Sequence, residues 1–104
     1  MNKLIIASAV AALGFSAGAQ AQDAAKLAQE KACLSCHQVA TKVVGPSYKD
    51  IAKKYASDKG AEAKLIKKVR EGGVGVWGQV PMPPNATVND KEAQILVKWV
   101  LSQK

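Results

Sequence analysis

Cys33-Leu34-Ser35-Cys36-His37 decides how the chain is read, because it holds the only two cysteines and the only histidine among 104 residues. C-x-x-C-H is the attachment pattern of a c-type haem. Each thiol adds across one vinyl group of the porphyrin and leaves a thioether. The two-residue gap lets a single turn present both sulfurs, from Cys33 and Cys36, to neighbouring pyrrole edges. His37 follows at once, so its ring is held against the iron as an axial ligand. Three rivals fit less well. A thioredoxin-like pair expects a βαβ pattern around C-x-x-C, and no convincing strand occurs. A structural zinc site needs four ligands, and a carboxylate would have to join Cys33, Cys36 and His37. A plain disulfide leaves the adjoining histidine unexplained.

Upstream, Asn2 and Lys3 precede an apolar run from Leu4 to Phe15, and Ala19-Gln20-Ala21 gives a small-x-small exit. This is the form of a secretory signal peptide, and the run is too short for a permanent membrane span. Residues 1–21 are expected to be cleaved, leaving a single domain at 22–104. The expected destination is an oxidising compartment, the periplasm in a Gram-negative source. Lys3 is one of the fifteen basic residues; its loss leaves fourteen against eight acidic, formally +6. So small a domain buries a modest fraction of its surface and usually carries a staple. A covalent haem would serve as one.

Downstream the pattern is helical. Gln22 to Ala32 has apolar residues at helical spacing behind Asp23. Gly45-Pro46-Ser47 breaks the chain, and Ser47 caps a short helix over Tyr48 to Tyr55. Ala61 to Arg70 turns Leu65, Ile66 and Val69 to one face, with Lys64, Lys67 and Lys68 mostly outside, and Gly72-Gly73 stops it. Asn89 and Glu92 have capping-box spacing before a last helix over Asp90 to Ser102. Its apolar face is Ala93, Leu96, Val97, Val100 and Leu101, and Trp99 is expected to sit in the core between helices. The connection from Gly72 to Asn89 is long for so small a domain, and long loops tend to be functional or disordered. It contains Val80-Pro81-Met82-Pro83-Pro84-Asn85. Met82 is the only methionine besides Met1. A thioether suits haem iron as the sixth ligand, and the flanking prolines restrict the backbone that carries it. The ordinary role of a methionine is to fill an apolar gap.

With these residues in view, the chain resembles the small bacterial class I cytochromes c of the c-551/c-552 type. The stretches that carry the resemblance are the haem motif, Val44-Gly-Pro-Ser-Tyr48-Lys-Asp50, Gly75-Val-Trp-Gly78, Pro81-Met-Pro-Pro-Asn85 and Lys98-Trp-Val-Leu-Ser-Gln-Lys104. The resemblance implies an all-α fold of four to five helices wrapped around one covalently attached haem, with first and last helices crossing beside it. It implies thioethers at Cys33 and Cys36 and axial ligation by His37 and Met82. It further implies that the Pro46 carbonyl accepts the His37 ring N–H. Asn85 is expected to donate to the Met82 sulfur, the alternative being a turn residue. Trp77 is expected to pack on the haem with its indole N–H toward a propionate. Many relatives place an arginine near a propionate on the third helix; here Lys68 stands there, with Arg70 close by.

With His37 and Met82 filling both axial positions, the iron has no open site and is left to exchange electrons. The sequence therefore predicts not an enzyme but a soluble, monomeric, periplasmic mono-haem carrier. It would shuttle single electrons between a membrane cytochrome complex and a terminal reductase or oxidase. The alternatives are a haem-based peroxidase or gas sensor with a labile methionine, and a dedicated subunit of a larger dehydrogenase. Lysines 42, 49, 53, 54, 64, 67 and 68 are candidates to ring the haem edge and steer an acidic partner. Nucleic-acid binding is a poor reading of the charge, since no recognition motif or interleaved aromatic stripe accompanies it.

Overall fold

The structure, a computed structural model, describes residues 17–104, with side chains from Asp23 onward. The basic start and apolar run of the expected export signal lie outside the described residues. Four α-helices follow one another: α1 (Ala17–Glu30), α2 (Tyr48–Lys54), α3 (Ala61–Glu71) and α4 (Asp90–Leu101), with a 3-10 turn at Cys33–Ser35. Among the described residues there is no strand, only isolated bridges between His37 and Lys42 and between Gly73 and Met82. The all-α expectation holds.

The helix boundaries follow local chemistry, with one exception. Ser47 Oγ accepts from the Asp50 N–H at 3.1 Å and starts α2. Asn89 and Glu92 form a reciprocal capping box at the head of α4, which satisfies two otherwise orphaned donors. Gly72 ends α3 at φ 76°. The first helix differs from its expected span: it begins before Gln22 and stops at Glu30, two residues short of Ala32. Ala32 sits in the left-handed region at φ 65°, a conformation a helix cannot contain. The chain turns there so that the cysteine segment can leave the helix axis.

The core is small and built largely from small side chains. Ala28, Val88, Ala93 and Leu96 form its buried cluster, with Leu27, Ile66, Val69 and Trp99 packed around it. Ala28 and Ala93 are both fully buried, and their lack of bulk lets α1 and α4 approach closely. Among the described residues, Val88 is the largest side chain that is completely enclosed. Trp99 packs between α4 and α2, its ring edge-on to Tyr48 at 5.2 Å between centroids. The remaining apolar faces, from Leu65 and Val69 on α3 and Leu96, Val97 and Val100 on α4, turn toward a cleft.

Candidate functional site

The cleft has a volume of about 560 Å³, within the range of sites that enclose a cofactor-sized ligand. Cys33, Cys36, His37, Pro46, Lys68, Trp77, Met82 and Asn85 all line it. These residues come from four separate segments, and no local feature of the sequence brings them together.

The attachment segment is shaped by the 3-10 turn. The N–H groups of Cys36 and His37 both donate to the Cys33 carbonyl, at 3.2 and 3.0 Å. That single acceptor folds three residues tightly and puts both sulfurs on the cleft. Both thiols are free, and burial pushes the Cys33 thiol up, a backbone hydrogen bond partly opposing it. Among the described residues no group of three His, Cys, Asp or Glu is arranged to hold a metal ion.

His37 lies against the loop that leads into α2. Its Nδ1 is 2.8 Å from the Pro46 carbonyl. A carbonyl only accepts, so Nδ1 carries the hydrogen, and in the neutral ring Nε2 keeps its lone pair. Gly45 touches the same ring: a Cβ there would lie 2.5 Å from Cε1 and 2.8 Å from Nδ1. The start of α2 is docked on the residues after His37, because the Tyr48 and Lys49 N–H groups donate to the Gln38 and Val39 carbonyls at 2.9 and 3.0 Å. Those are two of the donors that a helix start leaves without partners. Tyr48 is thereby set beside the imidazole, the rings stacked with centroids 5.4 Å apart. Burial above all pushes its hydroxyl far above the usual phenol range.

Met82 is presented by the long loop, whose geometry starts at Gly72. Gly73 and Met82 exchange both backbone hydrogen bonds, at 3.0 and 2.8 Å. This pairing needs the Gly72 backbone close by: a Cβ on Gly72 would strike the Met82 carbonyl and come within 2.8 Å of the Pro84 nitrogen. Further along, the Asn85 N–H donates to the Val69 carbonyl at 3.0 Å.

Three expected site residues take positions that the sequence did not specify. The Asn85 side chain donates to the Lys31 carbonyl at 3.0 Å, where donation to the Met82 sulfur was expected. Its Oδ1 accepts from the Thr87 N–H and hydroxyl at 3.3 and 2.8 Å; this is the turn role, and it aims the amide nitrogen at the end of α1. Trp77 lines the cleft at its rim and is 44 % exposed, with the Lys54 ammonium 5.3 Å from its ring centroid. Lys68, expected mostly outside, is half-buried and lines the cleft. Arg70 points the other way, donating to the Val88 carbonyl at 3.3 Å and pairing with Asp90. Of the lysines considered for the haem edge, Lys42 and Lys68 line the cleft, and Lys54 covers Trp77. Lys64 is committed to Asp58 at 2.8 Å.

Tyr48, Gly45 and Lys31 belong to the site and had no assigned role in the sequence. Glycine before a proline was a signal for Gly45, but Tyr48 and Lys31 carried none. Lys31 Nζ donates to the Thr87 carbonyl at 2.9 Å and lies 3.6 Å from Glu92.

The donor set and the walls of the cleft fit a haem. Two thiols, an imidazole with a free Nε2 lone pair and a thioether converge on one apolar space. Val44, Val74, Val76, Trp77 and Val80 line it and are 44–64 % exposed. A flat apolar group seated among them would extend the small core, and such burial is the main favourable term in folding.

A family model for cytochrome c matches residues 21–104. The chain is 56 % identical to cytochrome c-551 of Pseudomonas aeruginosa over 87 residues, covering 84 % of this chain and 83 % of that one. It is 43 % identical to cytochrome c-552 of Hydrogenobacter thermophilus over the full length of both. The crystal structure of wild-type Nitrosomonas europaea cytochrome c552 is similar at a TM-score of 0.75 and 52 % identity, covering 77 % of this chain and 99 % of that one.

Proposed function

The chain belongs to the cytochrome c family, and from that premise we propose that it is a periplasmic shuttle for single electrons, not an enzyme. It is an electron-transfer protein of the class I fold carrying one covalently bound haem c. The export signal occupies 1–21 and the working domain 22–104. The donor is a membrane cytochrome complex and the acceptor a terminal reductase or oxidase. Cys33 and Cys36 hold the haem through thioethers; His37 and Met82 are its axial ligands. When bound, the haem supplies an iron that cycles between ferrous and ferric states.

The observation that carries this reading is the convergence of His37 and Met82 on one cleft, each on backbone that is already fixed. The Pro46 carbonyl holds the His37 ring and raises its basicity. Gly73 holds Met82 through two backbone hydrogen bonds, and the flanking prolines leave that backbone little freedom. Methionine ligation and apolar walls both favour the less charged, reduced state. Lys68, on the cleft wall, is the candidate cation for a propionate, and Trp77 at the rim the candidate indole donor. Asn85 supports the ligand loop by tying it to the Lys31 carbonyl just after α1, and its second amide hydrogen remains the candidate donor to Met82 Sδ.

Absorption spectra of the purified protein, oxidised and reduced, test the reading. The ferric protein should show the weak far-red band of methionine-bound haem, and Met82→Ala should abolish it. The reduced protein should bind carbon monoxide negligibly at neutral pH. Rapid, complete binding would instead favour the sensor or peroxidase.

A further inference from the structure

The hydrogen bond from His37 to the Pro46 carbonyl restrains one corner of the imidazole. A single N–H···O contact leaves the ring free to tilt about its own axis. The Gly45 backbone blocks part of that motion, since it lies close enough for a Cβ to collide with Cε1. The plane itself is set by a face, and the face on the page is the Tyr48 ring. It stacks on His37 at 5.4 Å between centroids and 23° between planes, inside the range of attractive aromatic pairs.

Tyr48 is in turn held on several sides. It is 3 % exposed. Its backbone N–H is bonded to the Gln38 carbonyl at 2.9 Å, and it forms the first residue of a capped helix. Trp99 of α4 meets it edge-on at 5.2 Å and 70°. The contacts thus run from α4 through Trp99 and Tyr48 to the histidine ring.

We infer that Tyr48 is a positioning residue that sets the plane of the His37 imidazole, with Trp99 as its brace. The inference rests on the reading of His37 as an axial ligand. The aromatic face does this work, and the hydroxyl is not needed for it. A ligand ring that keeps its plane presents the same environment to the metal before and after electron transfer.

Three ferric proteins separate this role from plain core packing: wild type, Tyr48→Phe and Tyr48→Leu. The readouts are the proton NMR shifts of the four haem methyls and the g-values in electron paramagnetic resonance, both of which follow the plane of a bound imidazole. Tyr48→Phe keeps the stacked face and should keep the wild-type methyl order and spacing. Tyr48→Leu keeps apolar bulk without a ring and should change them. A Tyr48→Leu protein that loses stability yet retains the wild-type methyl pattern and g-values overturns the inference. Should that variant fail to fold, the wild type still decides. Nuclear Overhauser contacts between the Tyr48 and His37 ring protons are expected in the ferrous protein, and their absence overturns the inference equally. Failure of the underlying reading is visible first and separately: wild-type protein would lack the upfield ring resonances of a bound histidine, and both proposals would fall.

Discussion

Gly72→Ala should be among the most damaging single-methyl changes this chain can take. Gly72 has φ 76° and ψ −172°, a combination essentially confined to glycine and costing roughly 1–3 kcal/mol for any other residue. Strain is only part of the effect. The new Cβ would strike the Met82 carbonyl and lie 2.8 Å from the Pro84 nitrogen. Both are backbone atoms that no side-chain rotation can clear. Relief requires the ligand loop to shift, loosening the paired hydrogen bonds between Gly73 and Met82, each worth about 0.5–1.5 kcal/mol. Together the terms reach roughly 2–6 kcal/mol, a large part of the 5–15 kcal/mol typical of a domain. Gly75→Ala separates the two causes. Gly75 has φ 104° but nothing within 4 Å of its would-be Cβ, so it should lose only about 1–2 kcal/mol. Denaturant unfolding of the haem-loaded protein measures both, and the far-red band reports whether Met82 stays in place. The reasoning is refuted if Gly72→Ala stays within about 0.5 kcal/mol of wild type, the range of ordinary surface changes, and keeps the band.

Asn89→Ala removes the side chain that accepts the Glu92 N–H at 2.8 Å and half of the capping box. It should cost about 0.5–2 kcal/mol in denaturant unfolding while leaving the spectrum unchanged. Asp58→Asn should flatten the pH dependence of stability at both extremes. The Lys64 hydrogen bond, then the Gly60 N–H, hold the Asp58 carboxyl below its ordinary 3.8; its contribution is complete above that value and lost as pH falls through the lowered one. The same contact raises Lys64 above 10.5, so its contribution is complete below that value and lost as pH rises through the raised one. The pair is at the surface and the effect small; unfolding midpoints across a pH series, wild type against variant, would reveal it.

What could be read from the sequence was what is written locally. Ser47 and Asn89 announced their helices because a cap needs only the three residues after it. The haem motif announced its chemistry because five adjacent residues contain it. The end of α1 was misplaced because Ala32 carries no glycine-like signal for its left-handed turn; the path of the cysteine segment imposes that conformation. Which of Lys68 and Arg70 faces the cleft was open in composition but is set by geometry. Two residues apart on a helix means about 200° of rotation, so only one of them can face the cleft. The Asn85 contact was not foreseen for a different reason. Its partner Lys31 is 54 positions away, and no local pattern states that the loop folds back onto α1. Tyr48 escaped assignment in the same way: its stacking on His37 depends on the docking of α2 against the Gln38 and Val39 carbonyls.

The Asn85 contact with Lys31 supports the proposed carrier. Donation to the sulfur alone would tune one atom. Donation to the Lys31 carbonyl fastens the loop that bears Met82 to backbone two residues before Cys33, and Lys31 returns the contact by reaching the Thr87 carbonyl. The same loop is held by Gly73 at Met82 and by Val69 at Asn85. Withdrawing Met82 therefore requires several hydrogen bonds, anchored just after α1, on α3 and in the turn after α3, to open together. Sensors and peroxidases of this ligand type need the sixth ligand to leave readily, whereas an electron carrier needs it to stay through both oxidation states. The arrangement of Lys31, Val69, Gly73 and Asn85 serves the second requirement and works against the first.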